Sequence, residues 1–241
     1  MIIDHIGYYF FPEEMMFRAI GRSCVPIWFF LIGYARSRDL TWPIWAGAGS
    51  LIVANVIVGM PIFAVNILGT IIFVRLLIDY IAEPATHNTR YLFAISIIMA
   101  VLFLPSFLIL EYGTMGLILA LYGYFLRHQQ ESGIPAQNIL GFGFFAFLSY
   151  LISQFLIFDF SEDEAMVMTV TTGFSFVILY FFEPRIFSKL SKTVPGTGVQ
   201  ALQLAGRHSL GIYVGHLILF KFIGAAAGLP GFDWFSFEIF E

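Results

Sequence analysis

Charged side chains are scarce in this chain: only 12% of its 241 residues are Asp, Glu, Lys or Arg. Soluble domains carry about 25% charged residues, so these few groups could not cover a globular surface in water. Hydrophobic residues make up 59% of the chain, and its mean hydropathy is +0.85. This composition indicates an integral membrane protein whose main partner is the lipid bilayer.

Cysteine is nearly absent as well, since Cys24 is the single one in the sequence. One cysteine excludes an internal disulfide framework and the usual zinc-binding spacings. The net charge of −4, without a basic stripe interleaved with aromatics, argues against nucleic acid as a partner. Glycine-rich phosphate loops, GxSxG elbows and HExxH motifs are also missing from the sequence. We therefore expect no metal site.

Apolar runs near the ~20 residues that span a bilayer recur along the whole sequence. Unpaired peptide groups are costly in lipid, so each run is predicted to be a helix. The fold class is therefore all-α, a polytopic bundle of about nine transmembrane segments in a single domain over 1–241. After a short first segment, the eight predicted full spans are 18–36, 42–60, 63–82, 91–110, 112–127, 138–159, 165–183 and 208–225.

The opening stretch MIIDHIGYYFFP is too short for a complete span. Twelve helical residues rise about 18 Å, against a hydrocarbon core of about 30 Å. Either this stretch is a half-helix buried among the others, or the true start lies upstream and Met1 is an internal methionine. We favour the upstream start, which would bring His5 near the middle of the membrane.

The charged loop residues predict the orientation of the chain. Alternate connections carry the basic residues, and the intervening connections and the C-terminal tail are acidic. The positive-inside rule places the basic connections in the cytoplasm and the C-terminus outside. The basic residues concerned are Arg36, Arg38, Arg90, Arg127, Arg185, Lys189, Lys192 and Arg207.

Ionisable residues inside the predicted spans are costly and mark functional sites by default. Asp4 and His5 are adjacent, but on a helix they point about 100° apart, so Asp4 is poorly placed to orient the imidazole. Arg18 and Arg22 share one helix face, and Arg18 is placed to extend to the membrane interface. Arg22 lies deeper and needs an anion, which is either Asp4 or a bound substrate.

The last span, in GRHSLGIYVGHLILF, contains a second candidate group. His216 lies about 12 Å beyond the helix start at His208, with Tyr213 one turn before it on nearly the same face. A helix start with free N–H groups and an adjacent Arg207 could bind phosphate. Arg207 alone is better explained as a positive-inside anchor.

Four other polar residues have simpler predicted roles. Arg75 and Asp79 are spaced i,i+4 and are predicted to form a structural ion pair. Asn66 begins a span and is either a helix cap or a ligand. Glu111 occupies a very short turn, where a carboxylate is usually solvated.

Several of these segments together resemble the TraX family of membrane proteins. The similar elements are IDHIGYYFFP, RAIGRSCVPIWFFLIGYARS, NILGTIIFV, EYGTMGLI and YVGHL. The family often has Pro two residues before the histidine of its last element, where this chain has Val214. GRHSLGIYVGH is also similar to the last helix of a wider group of membrane acyltransferases that use cytoplasmic acetyl-CoA.

The resemblance implies acetyl transfer, because the founding TraX proteins acetylate the N-terminal amine of conjugative pilin in the inner membrane. The acceptor here would be a protein amine or a glycan hydroxyl. On this hypothesis His5 is the general base, and His216 or Tyr213 orients the substrate or donates to the oxyanion. The remaining expected roles are CoA binding by Arg207 and His208, and shaping of the acceptor side by Arg22, Asp4 and Asn66.

Two non-enzymatic functions compete with this hypothesis. The intramembrane residues Asp4, His5, Arg22 and His216 could instead line a proton or solute path, although no inverted repeat supports a transporter. The chain could also be a structural partner in an envelope or pilus assembly. A transporter would not consume acetyl-CoA, and an assembly partner would tolerate alanine at both histidines.

Overall fold

The computed structural model describes residues 1–184 and 196–236, and these residues form helices and connecting segments without a β-strand. We number the helices in chain order. They are α1 Ile2–Phe10, α2 Met15–Arg22, α3 Val25–Tyr34, α4 Trp42–Val58, α5 Ile67–His87, α6 Thr89–Val101, α7 Phe103–Phe107, α8 Met115–Arg127, α9 Gln129–Ser132, α10 Ala136–Ile157, α11 Glu162–Tyr180, α12 Gly196–Arg207 and α13 Ser209–Ala226.

Helices occur at all eight predicted spans, but the prediction of about nine membrane crossings is confirmed only in part. Three helical stretches in the described part of the chain are long and apolar enough to cross a bilayer: Met15–Tyr34, Ala136–Ile157 and Ser209–Ala226. Helix α5 is long enough but carries Arg75, Asp79 and Glu83, and α4, α6 and α8 are apolar but short. These helices define a polytopic helical membrane protein.

Helix α8 is the centre of the bundle, and most of its residues are buried. Helix α3 packs along it at very short range. A Cβ added at Gly33 of α3 would overlap the carbonyl oxygen of Ala120, and one added at Gly123 of α8 would overlap the carbonyl oxygen of Phe30. The two glycines therefore allow the two backbones to touch.

The predicted span 18–36 is interrupted where α2 ends and α3 begins. Pro26 occupies the first turn of α3, and proline has no N–H for the carbonyl four residues earlier. That carbonyl belongs to Arg22, and the Tyr150 hydroxyl of α10 donates to it over 2.7 Å. The break is thus stabilised by a tertiary hydrogen bond that also fixes the position of Arg22.

Connecting segments gather at two ends of the bundle. At the first, which we call the cavity end, Val65 donates to the carbonyl of Ile109 at 2.8 Å and Glu111 donates to that of Val65 at 3.0 Å. The segment after α13 folds back to this end, where the Asp233 amide donates to the carbonyl of Val58 at 3.1 Å. The Val65 bonds join the connection before α5 to the segment before α8, and the Asp233 bond joins the segment after α13 to the end of α4.

The opposite end, which we call the basic end, carries arginines that cap the C-terminus of α3. Arg38 donates to the carbonyls of Ile32 and Gly33, and Arg127 donates to that of Tyr34. Asp79 pairs with Arg38 at 3.2 Å, so the predicted Arg75–Asp79 pair is wrong.

Arg75 instead donates to the backbone carbonyl of Asp39 at 2.6 Å. The difference arises because a connection distant in sequence folds over α5. Arg185, Lys189 and Lys192, which also entered the prediction of orientation, lie outside the described residues.

Candidate functional site

A cavity of about 340 Å³ opens at the cavity end. Residues from α1, α2, α13 and the connections before α5 and α8 line it, so segments distant in sequence meet there. The polar side chains on its wall include Asp4, His5, Arg18, Arg22, Asn55, Asn66, Glu111, Tyr213 and Lys221.

Two histidines from opposite ends of the sequence form a hydrogen-bonded pair beside this cavity. His5 Nδ1 lies 2.8 Å from His216 Nε2, and the two rings are stacked at a centroid distance of 5.0 Å. His216 Nδ1 lies 2.8 Å from the backbone carbonyl oxygen of Ile212. A carbonyl oxygen can only accept, so His216 Nδ1 must carry the proton.

That proton determines the tautomers of both rings when they are neutral. With Nδ1 protonated, His216 Nε2 is an acceptor, and His5 Nδ1 must donate to it. His5 Nε2 is then left with a free lone pair. The pair therefore presents one basic nitrogen, on a buried side chain that lines the cavity.

The position of α1 depends on close contact with α2. A Cβ added at Gly21 would overlap the Cβ and backbone nitrogen of Asp4, so glycine is required where the helices cross. The buried residues of α1 are Asp4, His5, Gly7 and Tyr9. The crossing directs the Asp4 carboxylate toward the basic face of α2.

Asp4 is 1% exposed and contacts both arginines of α2. Its Oδ1 lies 2.9 Å from Arg18 Nη1 and 3.5 Å from Arg22 Nε. The prediction that Arg18 extends to the membrane interface is therefore wrong: Arg18 is buried because Asp4 and the ring of Phe158 hold it. Arg22 also donates to Gln154 Oε1 at 3.2 Å.

The carboxylate of Asp4 also lies near the basic nitrogen of His5. Asp4 Oδ2 is 3.8 Å from His5 Nε2, which is too long for a hydrogen bond. The imidazole is thus oriented by His216 rather than by Asp4. A negative charge at this distance would nevertheless stabilise the imidazolium formed when Nε2 takes a proton.

Tyr213 packs against both imidazoles. Its ring centroid is 5.8 Å from that of His5 and 5.6 Å from that of His216, both in edge contacts. The ring is buried and lines the cavity. Within residues 1–184 and 196–236, no hydrogen bond involves its hydroxyl. This hydroxyl can therefore donate to a bound molecule.

The N-terminus of α5 forms another part of the cavity wall. Asn66 is the N-cap of α5 and accepts from the Leu68 amide at 3.1 Å. The predicted cap role is therefore observed, and Asn66 also lines the cavity. Glu111 accepts from the Ile67 amide at 2.8 Å. Our expectation of a solvated Glu111 is wrong, because the Val65–Leu110 pairing folds this turn over α5.

Sequence reasoning missed Lys221 and Asn55. Lys221 is 5% exposed and donates to Asn55 Oδ1, and both line the cavity. Lys221 follows Tyr213 and Leu217 at intervals of four residues, which places all three on one face of α13. A lysine inside the apolar run HLILFKFIG was itself a signal of an intramembrane site.

Arg207 and His208 lie apart from this group. They are exposed at the junction of α12 and α13, and neither contributes to the cavity wall. Helix α12 itself buries no residue. Of the predicted site residues, the structure therefore brings together His5, His216, Asp4, Arg22, Asn66 and Tyr213, and leaves Arg207 and His208 near the start of α13.

Fold and site together define a helical membrane protein with a histidine pair and a set of buried charges around a cavity. Residues 1–223 match the family model described as TraX protein, and the chain belongs to the TraX family. It is 27% identical over 137 residues to an uncharacterized protein of Rickettsia prowazekii (strain Madrid E). That match covers 55% of this chain and 53% of the Rickettsia protein, about half the length of each. No solved structure matches the chain.

Proposed function

We propose that this protein is an acetyltransferase of the bacterial inner membrane, which moves an acetyl group from cytoplasmic acetyl-CoA to an amine or hydroxyl acceptor. The observation that carries the proposal is the His5–His216 hydrogen bond of 2.8 Å, with a second bond fixing the tautomer of His216. A general base needs a free lone pair and an oriented ring within reach of the substrate. His5 Nε2 fulfils both requirements beside a cavity. Family membership is consistent with a pilin-related membrane protein.

The proposed reaction needs only proton transfer and acyl exchange. His5 Nε2 takes a proton from the nucleophilic nitrogen or oxygen of the acceptor. The same nitrogen or oxygen bonds to the thioester carbonyl carbon. The carbon–sulfur bond then breaks, and the CoA thiolate leaves and recovers the proton from the imidazolium. The Asp4 carboxylate, 3.8 Å from Nε2, stabilises the imidazolium between these steps.

Donors for the developing oxyanion are present on the same wall. Arg18, Arg22 and Tyr213 line the cavity, and their guanidinium and hydroxyl groups are the proposed donors. Fixed donors in an apolar site stabilise a developing charge strongly, and loss of one such donor costs about 10²–10³-fold in rate. His216, with both nitrogens occupied, positions the base and is proposed to have no direct part in proton transfer.

Two further features belong to the proposal. Arg207 and His208 would bind the phosphates of CoA near the start of α13, about 12 Å along the helix from His216. The acetyl group would cross that distance on the pantetheine arm. By the positive-inside rule the basic end faces the cytoplasm, so the acceptor would enter at the cavity end.

Transfer of label from acetyl-CoA tests the proposal. Membranes containing the protein would receive acetyl-labelled acetyl-CoA with protein, peptide and glycan acceptors. We expect label transfer that falls roughly 10²–10⁴-fold in His5→Ala and is unchanged in His128→Ala, a half-buried histidine at the basic end. Absence of acetyl-CoA consumption by the folded wild-type protein would contradict the proposal and favour a transporter.

A further inference from the structure

Lys221 is an unusual residue within the cavity. Lys221 is 5% exposed and lies in a helix whose neighbouring residues are apolar. Its hydrogen-bond partner is the neutral amide oxygen of Asn55. The Asn55 amide nitrogen in turn donates to the carbonyl of Pro61 at 2.6 Å. This second bond fixes which end of the amide faces the lysine.

The charges around the cavity do not balance. Arg18, Arg22 and Lys221 supply three positive charges, against two negative charges from Asp4 and Glu111. Asp4 is already bound by both arginines, and Glu111 accepts from the Ile67 amide. Over the described ranges, no carboxylate oxygen lies within 4.0 Å of the Lys221 ammonium. A buried charge without a counter-ion is strongly unfavourable.

The cavity also has unused donors. An ammonium group has three N–H bonds, and one of those of Lys221 is accounted for by Asn55. Arg22 Nε is buried 3.5 Å from Asp4 Oδ1 and makes no hydrogen bond within the described ranges, so it contributes charge to the cavity wall rather than an accessible donor. The free N–H groups of Lys221, together with one uncompensated positive charge, are the complement of an anionic ligand.

We propose that Lys221 binds an anionic group, a carboxylate or a phosphate monoester, on the acceptor molecule. Asn55 positions the ammonium, and the ligand anion completes the charge balance of the cavity. His5, the proposed base, and Lys221 line the same cavity. One acceptor molecule could therefore place its nucleophile at His5 and its anionic group at Lys221. The identity of this ligand as acetyl acceptor rests on the proposed function, but its binding does not.

Binding to the full chain in lipid nanodiscs tests the site without any need for turnover. Thermal unfolding would be measured with 6-aminohexanoate against its amide, and with 4-aminobutyl phosphate against 4-aminobutanol, at constant ionic strength. A ligand that binds only the folded state raises the midpoint with its concentration. We expect the anionic member of at least one pair to bind roughly 10- to 100-fold tighter, the effect of one hydrogen bond to a charged group. Whichever pair shows the preference identifies the anion.

Variants assign the effect to the lysine. Lys221→Met should abolish the preference, and Lys221→Arg should keep it because the positive charge remains. Arg90→Met, which removes an exposed cation at the basic end, should leave the preference unchanged. Equal binding of both members of each pair to wild type, or a preference that survives in Lys221→Met, would overturn the proposal.

An activity measurement separates this inference from the proposed function. If the wild type acetylates these amines, Lys221→Met should remove its preference for the anionic acceptor over the neutral one. Anion binding that depends on Lys221 without any acetyl transfer would contradict the acetyltransferase while supporting the anion site. Acetyl transfer with no discrimination between the paired acceptors would support the acetyltransferase and contradict the anion site.

Discussion

His5 and His216 are 211 positions apart in the sequence, yet their side chains share one hydrogen bond. A substitution at one of these residues therefore also changes the environment of the side chains that it contacts. Asp4 illustrates this, since its carboxylate is the shared counter-ion of two buried guanidinium groups. Removal of one partner from a buried ion pair leaves an uncompensated charge.

Asp4→Asn should therefore destabilise the protein by about 3–5 kcal/mol, the cost of breaking a buried ion pair. The measurement is the unfolding free energy in detergent, compared with Asp159→Asn. Asp159 is exposed at the cavity end, so its variant should lie within about 0.5 kcal/mol of wild type. Equal stability of the two variants would show that Asp4 does not balance the arginines.

Tyr150→Phe tests the break before α3. The variant leaves the Arg22 carbonyl without the hydroxyl that donates to it at 2.7 Å. A buried acceptor left without a partner costs about 1–3 kcal/mol, so the unfolding midpoint should fall. Tyr80→Phe, at a tyrosine that is 78% exposed, is the matched control and should leave it unchanged. An unchanged midpoint in Tyr150→Phe would mean that the carbonyl finds another donor.

At the scale of elements, two glycines allow the backbones of α3 and α8 to touch. Gly33→Ala and Gly123→Ala should each lower the unfolding midpoint, because the added methyl meets a carbonyl oxygen of the opposite helix. Gly49→Ala and Gly141→Ala are the controls, since nothing lies within 4 Å of a Cβ at either position.

The two controls should be neutral or stabilising by up to about 1 kcal/mol, as expected for alanine in a helix. Destabilisation in the controls equal to that in Gly33→Ala would show that the close contact is not the cause.

Helix positions could be predicted from apolar runs, because each helix satisfies its own backbone. The breaks within helices and the contacts between distant segments could not be predicted in this way. The predicted span 18–36 ran through Pro26 without a break, and only the tertiary fold supplies Tyr150 as the donor to the freed carbonyl. The burial of Arg18 could not be predicted either, because its position depends on where α1 crosses α2.

The candidate site was predictable to the extent that ionisable residues lay inside apolar segments. Asp4, His5, Arg22 and His216 carried that signal, and the structure places them together. Lys221 carried the same signal and was missed. The hydrogen bond from the Ile67 amide to Glu111 could not be predicted from sequence, because it depends on the pairing of Val65 with Leu110.

For the whole molecule, the grouping of basic connections at one end makes orientation testable. Single cysteines at Ser37 and Glu13, in a Cys24→Ala background, mark exposed positions at the basic end and the cavity end. The positive-inside rule predicts that a membrane-impermeant thiol reagent labels Glu13→Cys on intact cells stripped of their outer membrane. Ser37→Cys should be labelled only after permeabilisation. The opposite labelling pattern would place the cavity end in the cytoplasm and contradict entry of the acceptor from the outside.

The most direct test of the proposed catalytic pair is a double-mutant cycle on acetyl transfer. His5→Ala, His216→Ala and the double variant would be compared with wild type in the rate of label transfer from acetyl-CoA. Groups that act as one unit are strongly non-additive, and loss of a tautomer-fixing partner can cost up to about 10⁴-fold. We predict that the double variant is no slower than His5→Ala alone. Losses that multiply in the double variant, or full activity in His5→Ala, would contradict a base at His5 that His216 holds in place.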